Sequence, residues 1–152
     1  DECGAANFFG IKGNSFITPK SSSVLPSITN KSLQQLAIEL GMTVEARNVP
    51  VEELTTFEEA GACGTAAVIS PIKSIVDVDN DITYFISEEP GKICTRLYEK
   101  LRAIQYGDEP DLYGWELLLN KRFLKNIERQ LVFSFSLFFM LAGFLNTNTK
   151  LI

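Results

Sequence analysis

A run of small residues from Gly61 to Ala67 is the first candidate for a chemical role in this sequence of 152 residues. Small side chains leave backbone N–H groups uncovered, and Thr65 adds a hydroxyl among them. Several such donors can converge on the oxygens of a phosphate or a carboxylate. The run leads into the apolar, strand-prone residues Val68–Ile72, so we expect an anion-binding loop at the edge of a sheet. The alternative is a Gly/Ala turn that only enters a buried strand.

A second cluster of donors is predicted where Leu25–Thr29 opens a helix. Ser27 suits the N-cap position, which leaves the N–H groups of Ile28 and Thr29 free at the positive end of the helix dipole. Near the start of the chain, Glu2 adds a carboxylate just before the first predicted strand. Together, a carboxylate and two donor clusters suit a ligand with a phosphate at one end and a basic ring nitrogen at the other.

The composition excludes several kinds of site. The chain contains no histidine, which rules out histidine-based acid–base catalysis, catalytic triads and histidine zinc sites built from its own residues. Cys3, Cys63 and Cys94 lack CxxC spacing, so we expect free thiols in a reducing cytoplasm, with Cys63 as a small packing residue. The aspartates of 77–81 lack the spacing of a calcium loop, so we expect a solvated turn and no metal site. The acidic body offers no surface suited to nucleic acid.

The composition changes near Asn120, where we predict a boundary between a domain at 1–119 and a tail at 120–152. The tail contains five basic residues and one acidic residue, so its net charge is +4. Because the whole chain has a net charge of −5, residues 1–119 carry a net charge of −9. The uncharged stretch Leu131–Leu145 would span about 22 Å as a helix, less than a ~30 Å hydrocarbon core. It is either a marginal membrane anchor or, as we prefer, non-homologous sequence from read-through, a frameshift or a misjoined gene model. Because the chain begins at Asp1, we expect it to be cut from a longer protein.

The pattern of apolar and turn residues predicts a body of alternating strands and helices, an α/β fold of the α+β type. A hairpin is predicted around Gly13-Asn14, and the helix from Ile28 should end at Leu40 with its apolar face formed by Ile28, Leu33, Leu36, Ala37 and Leu40. The remaining predicted elements are a strand at Thr43–Val49, a short helix from Pro50, strands at Val68–Val76 (interrupted by Pro71) and Ile82–Ile86, and a helix at Gly91–Gln105.

Three separated segments, in this order, resemble the C-terminal, cofactor-binding half of the branched-chain amino-acid aminotransferases. They are Glu2–Asn7, Leu25–Thr29 and Gly64–Ala66. The segment Ile104–Asp111, followed by Trp115, resembles the C-terminal signature of the branched-chain members. The resemblance covers about residues 1–116 and implies a class IV, fold-type IV enzyme that uses pyridoxal 5′-phosphate (PLP).

The resemblance implies four cofactor-binding positions. Glu2 matches the glutamate that pairs with the pyridine nitrogen, where a carboxylate keeps the ring protonated so that it can accept electrons. Ile28 and Thr29 match the positions whose backbone N–H groups hold the phosphate. Thr65 matches the threonine that adds a hydroxyl and an N–H to the same phosphate.

The resemblance also implies a substrate site. Ala66 matches a backbone donor to the substrate carboxylate, and Ala5 falls where some members have a threonine, whose hydroxyl alanine cannot supply. The substrates implied are leucine, isoleucine or valine with 2-oxoglutarate, and the intact enzyme is expected to be a homodimer.

No catalytic residue is expected in this chain, because the family's Schiff-base lysine precedes the position of Glu2. We therefore expect residues 1–152 alone to be inactive. Two alternatives stay open at this point: a non-catalytic remnant or membrane-tethered module, and another fold-type IV enzyme such as a D-amino-acid aminotransferase or an aminodeoxychorismate lyase.

Overall fold

The computed structural model of this protein describes residues 2–115. Backbone contacts define one compact unit over Asp1–Asp111, and a second unit begins at Leu112. The predicted boundary near Asn120 and the two interpretations of Leu131–Leu145 lie outside the described residues, so they stay predictions.

The main sheet has six strands, which are antiparallel except for the pair β3–β4. Its central order is β4-β3-β2-β5-β6, and β1 pairs with the first residues of β2. The strands are β1 (Glu2–Cys3), β2 (Ala6–Lys12), β3 (Ser15–Pro19), β4 (Thr43–Arg47), β5 (Glu59–Gly64) and β6 (Val68–Pro71).

Two helices and a small second sheet complete the fold. Helix α1 forms the crossover that allows β3 and β4 to run parallel, and it packs against α2. A separate antiparallel pair, β7–β8, follows β6. The bounds are Ile28–Glu39 for α1, Lys92–Tyr106 for α2, Val51–Thr56 for a 3₁₀ helix, Ser74–Asp77 for β7 and Ile82–Phe85 for β8. This mixed architecture confirms the predicted fold class.

The sheet buries aromatic side chains on both of its faces, because successive residues of β2 point to opposite sides. Phe9 stacks on Phe16 with ring centroids 4.7 Å apart, and both side chains are fully buried. On the other face, Phe8 packs with Phe57 from the segment after the 3₁₀ helix and with Ile17. These two apolar layers hold β2 and its neighbours in place.

The predicted hairpin and helix are confirmed, with one error in the helix. Lys12 lies opposite Ser15 across the Gly13-Asn14 turn, and Gly13 has the positive φ of 55° that this turn requires. Leu36 is buried as predicted, but Ile28 is 83% exposed. At about 100° per residue, Ile28 lies on the opposite side of α1 from the packed Ala37, so it cannot share that face.

The expectation of a loop over the whole run Gly61–Ala67 is wrong for its first half. Gly61–Gly64 is the end of strand β5, and the turn is confined to residues 65–67. A Cβ atom on Gly61 would lie 2.6 Å from the ring of Phe9. The small residues therefore make room for an aromatic ring in the core, a requirement that composition alone does not distinguish from an open loop.

Candidate functional site

The predicted site residues of the sheet lie at one of its ends. Glu2 of β1 is paired with Asn7 of β2, and Asn7 is paired with Cys63 of β5. Ala5 lies in the turn between β1 and β2, and Thr65 follows the last residue of β5. Continuing the β2–β5 register by two residues places Ala5 level with Thr65. The fold thus gathers two turns and one carboxylate at a single end of the sheet.

Hydrogen bonds tie Glu2 to the segment that leads into α1. The Leu25 N–H donates to Glu2 Oε1 at 2.9 Å, and Asn7 Nδ2 donates to the same oxygen at 2.9 Å. Leu25 precedes the first helical residue, Ile28, by three positions. The structure therefore brings together the carboxylate and the helix N-terminus, which are far apart in the sequence.

The N-terminus of α1 presents free backbone donors. Ser27 is the N-cap, and its side chain accepts a hydrogen bond from the Asn30 N–H at 3.2 Å. The N–H groups of Ile28 and Thr29 belong to the first turn and have no acceptor within the helix. They lie at the positive end of the helix dipole, and Ile28 itself is 83% exposed to solvent. This arrangement suits a phosphate group.

A buried polar chain fixes the start of α1 to the sheet. Asn30 Nδ2 donates to Thr18 Oγ1 at 3.0 Å, and Thr18 Oγ1 donates to the Phe8 carbonyl at 2.9 Å. Asn30 and Thr18 are both nearly inaccessible to solvent. Because buried polar groups are costly to leave unpaired, these bonds hold the first turn of α1 in one place relative to β2 and β3.

The turn at residues 65–67 is exposed, and the burial of the residue that follows it, Val68, constrains the backbone there. Thr65 and Ala66 are both exposed, and no hydrogen bond within the described residues joins them to Glu2 or α1. Val68, which follows the turn, has a φ of 60° and is only 5% exposed. A left-handed β-branched residue costs about 1–3 kcal/mol, so its burial must hold the backbone in this conformation. The direction of the turn is thereby fixed.

Cys63 lies beside the site but is suited to packing. It is 1% exposed, and burial raises the pKa of its thiol to about 12. A thiol with this pKa stays protonated at neutral pH and is a poor nucleophile. Within residues 2–115, no group of three or more His, Cys, Asp or Glu side chains could hold a metal ion.

The part of the chain that carries these residues is similar to known transferases. A family model described as "Amino-transferase class IV" matches residues 1–75. The branched-chain-amino-acid aminotransferase of Helicobacter pylori (strain J99) is 49% identical over 117 residues, covering 76% of this chain and 34% of the relative. Residues 1–75 resemble the class IV aminotransferases, and the similarity to this relative extends over 76% of the chain. The Haemophilus influenzae branched-chain-amino-acid aminotransferase is 50% identical over the same coverage. The chain spans about a third of the length of these curated relatives.

Solved structures share the fold of this chain. The Escherichia coli branched-chain amino acid aminotransferase matches with a TM-score of 0.69 and 31% identity, over 79% of this chain and 38% of that one. The Thermobaculum terrenum branched-chain amino acid aminotransferase in its PLP form matches with a TM-score of 0.62 and 34% identity, over 71% of this chain and 34% of that one. These matches confirm the resemblance and the fold type inferred from the sequence.

Sequence reasoning missed two groups at this site, Asn7 and the backbone of Leu25. The missed signal is the Gly4-Ala5 pair, which forms a two-residue turn between Cys3 and Ala6. Such a turn sets Glu2 directly opposite Asn7, so the pairing of carboxylate and amide was open to prediction.

Within residues 2–115, no helix is both long enough and apolar enough to span a membrane.

Proposed function

We propose that this chain forms the PLP-binding part of a branched-chain amino-acid aminotransferase. The full enzyme would transfer the amino group of leucine, isoleucine or valine to 2-oxoglutarate. One observation carries the proposal: the Glu2 carboxylate is bonded to Leu25, three residues before the free N–H groups of Ile28 and Thr29. The branched-chain assignment is supported by the relatives at 49–50% identity.

The residues present fit the chemical groups of PLP. Its phosphate is an anion, for which the first turn of α1 supplies N–H donors and the positive end of a dipole. Its ring nitrogen is basic and donates a hydrogen bond when it is protonated, and Glu2 supplies the acceptor for that bond. Within residues 2–115, no donor contacts Glu2 Oε2, so this oxygen is available while Oε1 is held by Leu25 and Asn7. When bound, PLP would supply an electron sink for the charge left after the substrate loses its α-proton.

Each residue has a distinct task in this proposal. Glu2 accepts a hydrogen bond from the protonated ring nitrogen, and its negative charge favours that protonated form. Ile28 and Thr29 donate their backbone N–H groups to the phosphate. Thr65 adds its hydroxyl and N–H to the same phosphate from the neighbouring turn.

We place the substrate carboxylate against the turns at the end of the sheet. Ala66 would donate its backbone N–H, and the Gly4-Ala5 turn would form the adjacent wall. Ala5 has no hydroxyl, so its contribution is limited to its backbone and its methyl group. The exposure of both alanines leaves them accessible to a ligand.

Catalysis requires a lysine amine that bonds PLP covalently and moves the proton. In the family this lysine precedes the position of Glu2, so we propose that residues 1–152 alone do not catalyse transamination. We expect the intact enzyme to be a homodimer. The free state of Cys3, Cys63 and Cys94 supports a reducing cytoplasm as its location.

A titration of the ¹⁵N-labelled chain with pyridoxamine 5′-phosphate tests this assignment. This ligand carries the phosphate and the ring nitrogen but needs no lysine. We expect the amide signals of Ile28, Thr29 and Thr65 to shift together with one affinity, and the Glu2→Gln variant to bind about tenfold more weakly. Excess inorganic phosphate should compete for the donors at Ile28, Thr29 and Thr65 and raise the apparent dissociation constant of the ligand. Shifts confined to other residues, or no binding at millimolar ligand, would contradict the proposal.

A further inference from the structure

We propose that Asn7 is a positioning residue that sets the Glu2 carboxylate relative to the phosphate-binding end of α1. This inference rests on the proposed function, because it assigns Asn7 a role through Glu2. It concerns a buried amide whose Nδ2 donates to Glu2 and to the Leu25 carbonyl.

Three hydrogen bonds close a ring between Asn7, Glu2 and Leu25. Asn7 Nδ2 donates to Glu2 Oε1 at 2.9 Å and to the Leu25 carbonyl at 3.0 Å. The Leu25 N–H completes the ring by donating to Glu2 Oε1 at 2.9 Å. Asn7 is 5% exposed, so both hydrogens of its amide are committed to the first and second of these bonds. One side chain thus fastens the carboxylate and the segment before α1 to strand β2.

Neither partner has strong support without Asn7. Strand β1 has only two residues, and Leu25 lies in an irregular segment with its side chain 72% exposed. Asn7 itself lies within β2, between β1 and β5, where the sheet holds its backbone. The Asn7 amide therefore attaches two elements to the rigid sheet, strand β1 and the segment before α1. In the proposed function, these two elements hold opposite ends of the ligand.

An amide is the side chain that this task requires. A lysine or arginine at position 7 would neutralise the Glu2 carboxylate, and an aspartate would repel it. Asn7 is neutral, so it orients Glu2 while leaving the negative charge to interact with a protonated ring nitrogen. Because Asn7 and Leu25 both donate to Oε1, Oε2 is left without a donor among residues 2–115 and can accept from the ring nitrogen.

The test uses Asn7→Ala and the isosteric Asn7→Asp in the 152-residue chain. Asn14→Ala is the matched control, since Asn14 is an exposed amide that donates to the Gly41 carbonyl at 2.8 Å. Glu2→Gln is the reference for complete loss of the carboxylate. The first readout is hydrogen exchange of the Leu25 amide. The second is the ratio of affinities for pyridoxamine 5′-phosphate and its 1-deaza analogue, in which a C–H group replaces the ring nitrogen.

We expect both Asn7 variants to speed exchange of the Leu25 amide about tenfold or more, with the Leu36 amide unchanged as a report of intact α1. We expect the affinity ratio to fall about three- to tenfold in the Asn7 variants and further in Glu2→Gln. The double variant with Glu2→Gln should have the ratio of Glu2→Gln alone, because Asn7 acts through that carboxylate.

Two results would overturn the inference: unchanged Leu25 exchange in the isosteric variant, or an unchanged affinity ratio while Glu2→Gln lowers it. A ratio that is insensitive even to Glu2→Gln would instead overturn the proposed function. The two failures are therefore distinguishable. If Asn7→Ala does not fold, the isosteric Asn7→Asp variant decides both readouts.

Discussion

Glu53 forms a bidentate ion pair with Arg47, whose Nη1 and Nη2 atoms lie 2.8 and 2.6 Å from the two carboxylate oxygens. Hydrogen bonds from Arg47 lower the pKa of Glu53 below its usual value, and Lys12 adds to this effect. A carboxylate with a lowered folded-state pKa stabilises the fold above its unfolded pKa, and this contribution is lost as the pH falls through the folded pKa.

The Glu53→Gln variant tests this ion pair. We expect it to be less stable than wild type to urea at pH 6, with the difference shrinking as the pH falls through the lowered folded-state pKa of Glu53, because the wild-type carboxyl is then protonated. The control is Glu52→Gln, since Glu52 is an exposed neighbour with no ion pair among the described residues. A difference between wild type and Glu53→Gln that stays constant as the pH is lowered from 6 until the chain unfolds would show that packing, not charge, is responsible.

The cysteines give a second prediction at the residue scale. Burial raises the pKa of all three thiols, that of Cys63 to about 12, but Cys63 and Cys94 are buried whereas Cys3 is partly accessible. We expect iodoacetamide at pH 8 to label Cys3 first, with Cys63 and Cys94 slowed about 100-fold relative to the urea-unfolded chain. Peptide mass spectrometry measures the three rates. Labelling of Cys63 as fast as Cys3 would contradict its assignment as a packing residue.

The role of a residue was predictable where it depends on neighbouring residues in the sequence. It was not predictable where it depends on contacts between distant segments. Ser27 and the free N–H groups after it follow from the residues around a helix start, and the structure shows that cap. The ring between Asn7, Glu2 and Leu25 depends on contacts across 23 positions of sequence. Such contacts exist only once the sheet has formed, so local patterns do not reveal them.

At the scale of elements, the start of α2 depends on a distant carboxylate. Its N-cap, Gly91, has no side chain to accept a hydrogen bond. Glu59, in β5, accepts instead from the Ile93 N–H at 3.0 Å and the Cys94 N–H at 2.7 Å. A Cβ atom on Gly91 would lie 1.8 Å from Glu59 Cδ. Glycine is therefore required for the carboxylate to approach the helix.

We expect Gly91→Ala to lower the free energy of unfolding by about 1–2 kcal/mol, because the displaced carboxylate no longer caps α2. Gly64→Ala is the control, since a Cβ there meets no heavy atom within 4 Å. Adding Gly91→Ala to Glu59→Ala should cost little more than Glu59→Ala alone. Equal unfolding midpoints for Gly91→Ala and Gly64→Ala in urea would refute this cap.

Element types were more predictable than the role of small residues. The hairpin around Gly13, the helix ending before Gly41 and the helix ending before Gly107 each carry a turn or capping signal, and all three are present. The run Gly61–Gly64 carries an ambiguous signal, because glycine serves both open loops and close packing. Only the position of the Phe9 ring decides between them.

At the scale of the whole molecule, we propose that the chain holds one part of a larger catalytic arrangement. It spans about a third of its curated relatives and resembles solved branched-chain aminotransferases over 79% of its own length in one case. The proposed ring-nitrogen carboxylate and the proposed phosphate donors lie within this part, whereas the resemblance implies that the covalent lysine precedes it. We therefore expect ligand binding and catalysis to be separable properties of this chain.

The most direct test joins the N-terminal two thirds of the Haemophilus influenzae relative to this chain ahead of Glu2 and measures glutamate formed from leucine and 2-oxoglutarate with PLP. We predict an enzyme-like rate for the joined protein, a rate at least about 100-fold lower for its Glu2→Gln variant, and no rate above free PLP for residues 1–152 alone. Transamination by the 152-residue chain alone, or full activity of the joined Glu2→Gln variant, would contradict the account.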